Sequence, residues 1–235
     1  MLERVLEPEV MDSDEEARDY DAMDHSHVNR LFVSDLLQLH ANFTTALDVG
    51  TGTAQIPIEL GKRQLQAQVT AIDMAEHMLR VGSANLARAG LTARIQLKQC
   101  DAKRMPFADR SFDAVISNSI VHHIPSPFAV FAEMARVVKE QGVLFVRDLL
   151  RPVDKATLTA LVQTYAGDAN AHQQKMLADS LHAALTLEEV REMVARLGFD
   201  AQCVRQTSDR HWTFAACGFA LARRHSNAKP QASAQ

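Results

Sequence analysis

The stretch Ala46-Leu47-Asp48-Val49-Gly50-Thr51-Gly52-Thr53-Ala54-Gln55 constrains this chain more than any other. An apolar run ends in a carboxylate and passes into two glycines separated by one residue. That is the pattern of a buried strand, a sharp turn and the start of a helix. Gly50 and Gly52 can adopt φ > 0 and carry no Cβ, so a ligand can lie against bare backbone. A helix beginning near Thr53 aims its free N–H groups and positive dipole end at that ligand. Such a cradle at the carboxyl end of a first strand suits a nucleotide. A dinucleotide loop calls for G-x-G-x-x-G, whereas here the third glycine position holds Gln55. Asp48, two residues before the first glycine, repels a pyrophosphate and attracts a cation. A plain tight turn is the bland reading of so short a motif, and the rest of the chain decides against it.

Periodicity places a polar helix over 14–24 and a stronger one over 26–40, where Val28, Leu31, Phe32, Leu36 and Leu39 share a face. Strands follow at about 45–49, 67–72, 94–98, 112–117 and 142–146. Helices fill 54–62 and 75–89, and a further one carries Phe128, Phe131, Met134 and Val138 on one face. Alternating strand and helix is the mark of a parallel, doubly wound α/β sheet. After Pro152 come helices over 154–166 and 170–184, an insertion following the fifth strand. Another helix begins after Thr186, with Val190, Met193, Val194 and Leu197 on one face. Two strands, 199–205 and 211–221, then form an antiparallel hairpin at the edge. The expected organisation is a helical arm or lid (1–40), one α/β domain (41–222) with a cap inserted at 153–184, and a disordered polar tail (223–235).

Charge narrows the partners. The net charge is −4, with no Lys/Arg block, which argues against a nucleic-acid surface. Residues 1–24 hold ten acids and two bases, so the remainder of the chain is positive by four. That arm reads either as a solvated leader or as a lid. Cys100, Cys203 and Cys217 show no metal or redox spacing and read as reduced core residues of a cytoplasmic protein. No signal peptide and no bilayer-spanning run is evident in the sequence, so no membrane partner is expected.

Open α/β sheets bind ligands beyond the carboxyl ends of their strands. Four such ends carry polar groups here. The first supplies Asp48 and the glycine turn. The second supplies Asp73, an acid able to accept from a ribose diol, with a helix N-cap as its bland alternative. The third leads into Cys100-Asp101-Ala102, where a carboxylate can accept from an adenine amine. The fourth ends in Ser117-Asn118-Ser119, and Asn118 offers both donor and acceptor.

Taken together, Asp48-x-Gly50-x-Gly52, Asp73-Met74, Asp101-Ala102, the run Met105-Pro106-Phe107-Ala108-Asp109-Arg110-Ser111-Phe112-Asp113, and Asn118 with Val121-His122-His123 resemble the successive motifs of class I S-adenosylmethionine-dependent methyltransferases. The small-molecule enzymes of ubiquinone and menaquinone biosynthesis are the nearest type. The resemblance covers about residues 44–150. It departs at Ala54, where many relatives have a third glycine, and at Glu140-Gln141-Gly142, where a Gly-Gly pair is usual.

The resemblance implies a Rossmann-like sheet of seven strands, mostly parallel, with the last strand antiparallel. It implies S-adenosylmethionine as cofactor, S-adenosylhomocysteine as product, and in-line transfer of the methyl to a small molecule. Most of the acceleration can then come from alignment and exclusion of water, and a general base is needed only if the acceptor has a proton to lose. Cofactor contacts fall on Tyr20, Asp48, Gly50, Thr51, Gly52, Asp73, Met74, Asp101, Ala102 and Asn118. Candidate bases are His25, His122 and His123, although His25 can also cap the helix that follows it. Arg147, Asp148 and Arg151 leave the fifth strand where an acceptor is expected, so they are candidate substrate contacts. Tyr165, His172 and Gln173 are weaker ones. Ser208 to Trp212 reads as a turn followed by a core residue, without function. No metal site is expected. The competing readings are a non-catalytic S-adenosylmethionine-binding regulator, a nicotinamide-dependent oxidoreductase and, disfavoured by charge, an RNA methyltransferase.

Overall fold

The computed structural model describes residues 2–7 and 12–218. The chain builds one seven-stranded sheet. Its strands are β1 (Thr45–Val49), β2 (Gln68–Asp73), β3 (Ile95–Gln99), β4 (Phe112–Asn118), β5 (Val138–Leu149), β6 (Val204–Gln206) and β7 (His211–Cys217). They lie in the order β3-β2-β1-β4-β5-β7-β6, with β3 to β5 parallel and β7 antiparallel to both β5 and β6. The order reverses between β1 and β4, which makes their carboxyl ends the switch point where such sheets bind ligands.

Helices cover both faces, as parallel strands require. They are α1 (Asp14–Ala22), α2 (Ser26–Leu39), α3 (Gln55–Arg63), α4 (Glu76–Ala89), α5 (Phe128–Val137), α6 (Lys155–Ala166), α7 (Ala171–Ala183) and α8 (Leu187–Arg196). On one face, Phe131 and Met134 of α5 and Val190 and Val194 of α8 pack on Leu47, Val115, Leu144, Trp212 and Phe214. On the other, Phe32, Val33 and Leu36 of α2 and Leu60 of α3 meet Ala46, Ile116 and Phe145. Caps start several helices where the sequence has capping residues. Ser13 and Glu16 form a capping box on α1, Asn170 and Gln173 one on α7, and Thr186 and Glu189 one on α8.

Three expectations need correction. The strand placed at 199–205 is mostly irregular: Asp200 accepts from the Gln202 N–H and closes a 3-10 turn (Ala201–Cys203), leaving β6 only three residues. The fifth strand is longer than 142–146. It pairs from Val138, with a shift in register against β4 before Ala114, and Gly142 sits there because a Cβ would lie 2.4 Å from the Asp113 carbonyl oxygen. The three cysteines are free but half-buried rather than in the core. The expected tail and the end of the strand placed at 211–221 lie outside the described residues. Among the described residues no helix is long and apolar enough to cross a membrane.

Candidate functional site

The glycine turn is shaped by backbone that ordinary residues avoid. Gly50 and Gly52 have φ of 75° and 53°, and Ala54 follows in the left-handed region at 64°. A Cβ on Gly50 would fall 2.2 Å from Ile120 Cγ2, so the turn is closed over by the loop after β4. Ala54, one of the departures from the family pattern, tolerates its strained φ in a fully buried niche facing Gly82. The turn is fastened from β2: the Gly50 and Thr51 N–H groups donate to the Ile72 carbonyl, and the Gly52 N–H donates to Asp73 Oδ2 at 2.7 Å.

A cleft opens over this turn. It is lined by Tyr20, Gly50, Gly52, Asp73, Met74, Asp101, Ala102 and Asn118, all expected from the sequence, and by His123, Ser119 and apolar Ile120 and Ile124. Asp48 and Thr51 lie buried next to this cleft rather than on its wall. Asp48 Oδ2 has no hydrogen-bond partner among the described residues. Burial pushes the Asp48 carboxyl up to about 7, partly offset by the nearby Thr51 hydroxyl. A buried acid with one oxygen unpartnered beneath a glycine turn fits a cationic ligand and opposes a pyrophosphate. Asp73 is also pushed up by burial, against the N–H donors of Ala75 and Gly52. A carboxylate has about four acceptor sites, so two backbone donors leave room for two hydroxyls.

The arm forms part of this wall. Tyr20 of α1 packs 3.6 Å from where a Gly52 Cβ would sit, and burial with Asp73 and Asp48 nearby raises its phenol to about 12. A polar network that sequence reasoning missed holds α1 there. Asp21 accepts from Gln55 Nε2 at 3.2 Å and from Asn85 Nδ2 at 2.8 Å, while Gln55 Oε1 accepts from Asn29 at 3.1 Å. Gln55, the residue in place of a third glycine, thus docks the arm. Its only trace in the sequence is Asn29 on the otherwise apolar face of α2.

The candidate histidines separate. His25 stacks on Tyr20, with ring centroids 4.8 Å apart, and makes no side-chain cap for α2. His122 is buried in a 3-10 turn (Val121–His123), where Nδ1 meets Asp148 Oδ1 at 2.5 Å. His123 alone of the three lines the cleft. Asp148, close by, holds His122 above its ordinary value against the opposing effect of burial, and is itself held below the carboxylate range by His122 and two N–H donors.

The expected substrate contacts are placed elsewhere. Successive residues of a strand point to opposite faces, so Arg147 turns to α2, where it pairs with Asp35 at 2.6 Å and lies over Phe32 and Phe145. Asp148 is fully buried under the 3-10 turn, accepting from the Val121 and Leu149 N–H groups. Arg151 seals the base of the insertion through Ala184 and Glu189. None of the three lines the cleft. Of the weaker candidates, Tyr165 donates to Asp209, Gln173 belongs to the α7 cap and His172 is exposed. The motif run ending at Asp113 is structural at its far end: Asp113 accepts from Thr44, Thr45 and Lys139, away from the switch point.

Comparison with known proteins agrees with this geometry. A methyltransferase-domain family model matches residues 47–146. The demethylmenaquinone methyltransferase of Porphyromonas gingivalis is 30% identical over 176 residues, 70% of this chain and 71% of that protein. The ubiquinone/menaquinone biosynthesis C-methyltransferase of Xanthomonas campestris is 30% identical over 206 residues, 80% and 79% of the two chains. The demethylmenaquinone methyltransferase of Desulfitobacterium hafniense is 32% identical over 170 residues, though the match spans 66% of this chain and only 65% of that one. A solved structure from Methanococcus maripaludis shares the fold, with a TM-score of 0.68 at 18% identity over 91% of this chain and 96% of that one. The chain belongs to the class I S-adenosylmethionine-dependent methyltransferases. Within that class its similarity runs to the ubiquinone/menaquinone-type enzymes.

Proposed function

We propose that the protein methylates a small molecule of quinone-precursor type, taken up at the apolar end of the cleft. The observation that carries this reading is the convergence of Asp73, Asp101 and Asn118, at three strand ends, with the Gly50–Gly52 turn on one cleft that continues into Ile120, Ile124 and His123. The named activities of the relatives supply the acceptor class, and the net charge of −4 disfavours a nucleic acid.

S-adenosylmethionine supplies a methyl group already activated on a sulfonium. On this reading Asp73 accepts from the ribose hydroxyls while still holding the Gly52 N–H, and Met74 packs on the adenine. Asp101 accepts from the adenine amine. Asp48 and the Gly50 backbone hold the methionine end, with Asn118 beside it and Tyr20 as a roof. The chain then contributes alignment and exclusion of water, which suit a transfer in which charge on sulfur is neutralised. Incubating the protein with S-adenosylmethionine and a prenylated hydroquinone should yield a methylated ring product by mass spectrometry. Unmodified acceptor, with product formed from a different small molecule, refutes the acceptor class.

Two expected results follow from the same geometry. A cationic ligand favours ionised Asp48, whose carboxyl burial pushes up to about 7. Cofactor affinity should therefore fall about tenfold as pH drops from 8 to 6, and Asp48→Asn should bind weakly with a flat profile. Equal slopes in both proteins, followed by calorimetry, would remove Asp48 from the site. Tyr20→Ala should weaken S-adenosylhomocysteine binding by about 1 kcal/mol, the loss of an aromatic roof; unchanged affinity would mean that the arm does not cover the ligand.

A further inference from the structure

Residues 2–7 run across the insertion and the loop after β4 as a strap. The Leu2 N–H donates to the Val153 carbonyl and the Val5 N–H to that of His182. The Arg4 guanidinium donates to the carbonyls of Ala183 at 2.7 Å and of His122 and Ile124 at 3.1 Å each. This docking brings Glu7 onto two histidines remote from it in sequence. Glu7 Oε1 lies 3.6 Å from His122 Nε2 and 3.2 Å from His123 Nδ1, and it accepts from the Ser180 hydroxyl at 3.0 Å. One donor atom from each of the three residues falls within 4.8 Å of the others, and the imidazole centroids are 4.1 Å apart.

The two separations between Glu7 and the histidines are those of neighbouring ligands on one small ion. Metal–nitrogen and metal–oxygen bonds of about 2.0–2.2 Å in a tetrahedron set adjacent donors about 3.3–3.5 Å apart, and 3.2 and 3.6 Å bracket that value. The surroundings match too. Metal-bound histidines almost always donate their second nitrogen to a carboxylate or carbonyl, and His122 Nδ1 already faces Asp148 at 2.5 Å, leaving Nε2 toward Glu7. The local charge is negative: the Asp148 and Asp179 carboxylates both act on Glu7, with the Arg4 guanidinium opposing them at His122.

We propose that Glu7, His122 and His123 bind one divalent transition-metal ion, which clasps the N-terminal strap onto the 3-10 turn at the rim of the cleft. Two imidazoles and one carboxylate suit a borderline ion such as Zn2+ better than Mg2+ or Ca2+. The ion takes the place of the proton at His122 Nε2, while the Nδ1–H stays on Asp148. Because His123 lines the cleft, the clasp fixes one of its walls. Sequence spacing does not reveal this site, since Glu7 lies near the start of the chain and the two histidines at its middle.

The test is to treat the full chain with chelator and titrate it with Zn2+ against a chromophoric competitor, alongside Glu7→Gln and His123→Asn. One equivalent per chain is expected, with affinity at least tenfold lower in each variant. S-adenosylhomocysteine binding by Glu7→Gln in chelated buffer reports whether that variant is folded. Should it not fold, Co2+ added to the unaltered protein decides the matter: intense visible bands of tetrahedral nitrogen and oxygen ligation are expected. No saturable Zn2+ binding, unchanged affinity in the folded variants, or a purely octahedral Co2+ spectrum overturns the site and leaves a plain histidine–glutamate ion pair.

Discussion

Asp148→Ala should unfold at markedly lower urea, losing about 3–5 kcal/mol, the cost of stranding one partner of a buried ion pair. His122 and Asp148 are both almost wholly excluded from solvent and meet at 2.5 Å. The substitution also orphans the Val121 and Leu149 N–H groups, each 2.6 Å from the carboxylate, and a buried unmet donor costs about 1–3 kcal/mol. The pair has a defined pH window. His122 is raised in the folded state, so its contribution is complete below 6.5 and lost as pH rises through its folded value. Asp148 is lowered, so its contribution is complete above 3.8 and lost as pH falls through its folded value. The difference between wild type and Asp148→Ala should be largest between those two values. A loss under about 1 kcal/mol there, the range of exposed ion pairs, would mean the pair does not form.

Asp73→Ala should weaken S-adenosylhomocysteine binding by about 1.5–3 kcal/mol, the range for hydrogen bonds to a charged group, or roughly 10- to 150-fold. Two losses combine. The acceptor for the ribose disappears, and the Gly52 N–H loses the carboxylate that fastens the turn at 2.7 Å. Calorimetry at a fixed pH checks this. Affinity within twofold of wild type would take Asp73 out of the site.

The sheet was legible because its evidence is local. The strands β1, β4 and the middle of β5 are short apolar runs, β2 and β3 carry apolar residues in alternation, each intervening helix has an apolar face, and Asp48, Asp73 and Asn118 mark the ends of strands. The same logic misplaced Arg147, Asp148 and Arg151. Their position just past the strand expected at 142–146 points to the switch region, but strand alternation and distant partners decide where each side chain goes. Asp35, His122 and Glu189 claim them, and no spacing in the sequence announces those pairings. The strap and Glu7 were hidden for a related reason. Residues 2–7 form no periodic element, so their docking through Arg4 backbone contacts leaves no pattern to read. Gln55 illustrates a third case, in which the departure from a dinucleotide motif was visible but its purpose, holding Asp21 and Asn29, was not.

The central claim is that a sulfonium nucleoside, held by Asp48, the Gly50–Gly52 turn and Asp73, occupies the crevice between β1 and β4. Isothermal titration of the full chain with S-adenosylhomocysteine and, separately, NAD tests it most directly. The account predicts saturable one-site binding of S-adenosylhomocysteine that Asp73→Ala weakens, and no heat with NAD. Tight NAD binding lost in Asp73→Ala, with S-adenosylhomocysteine giving none, would contradict it.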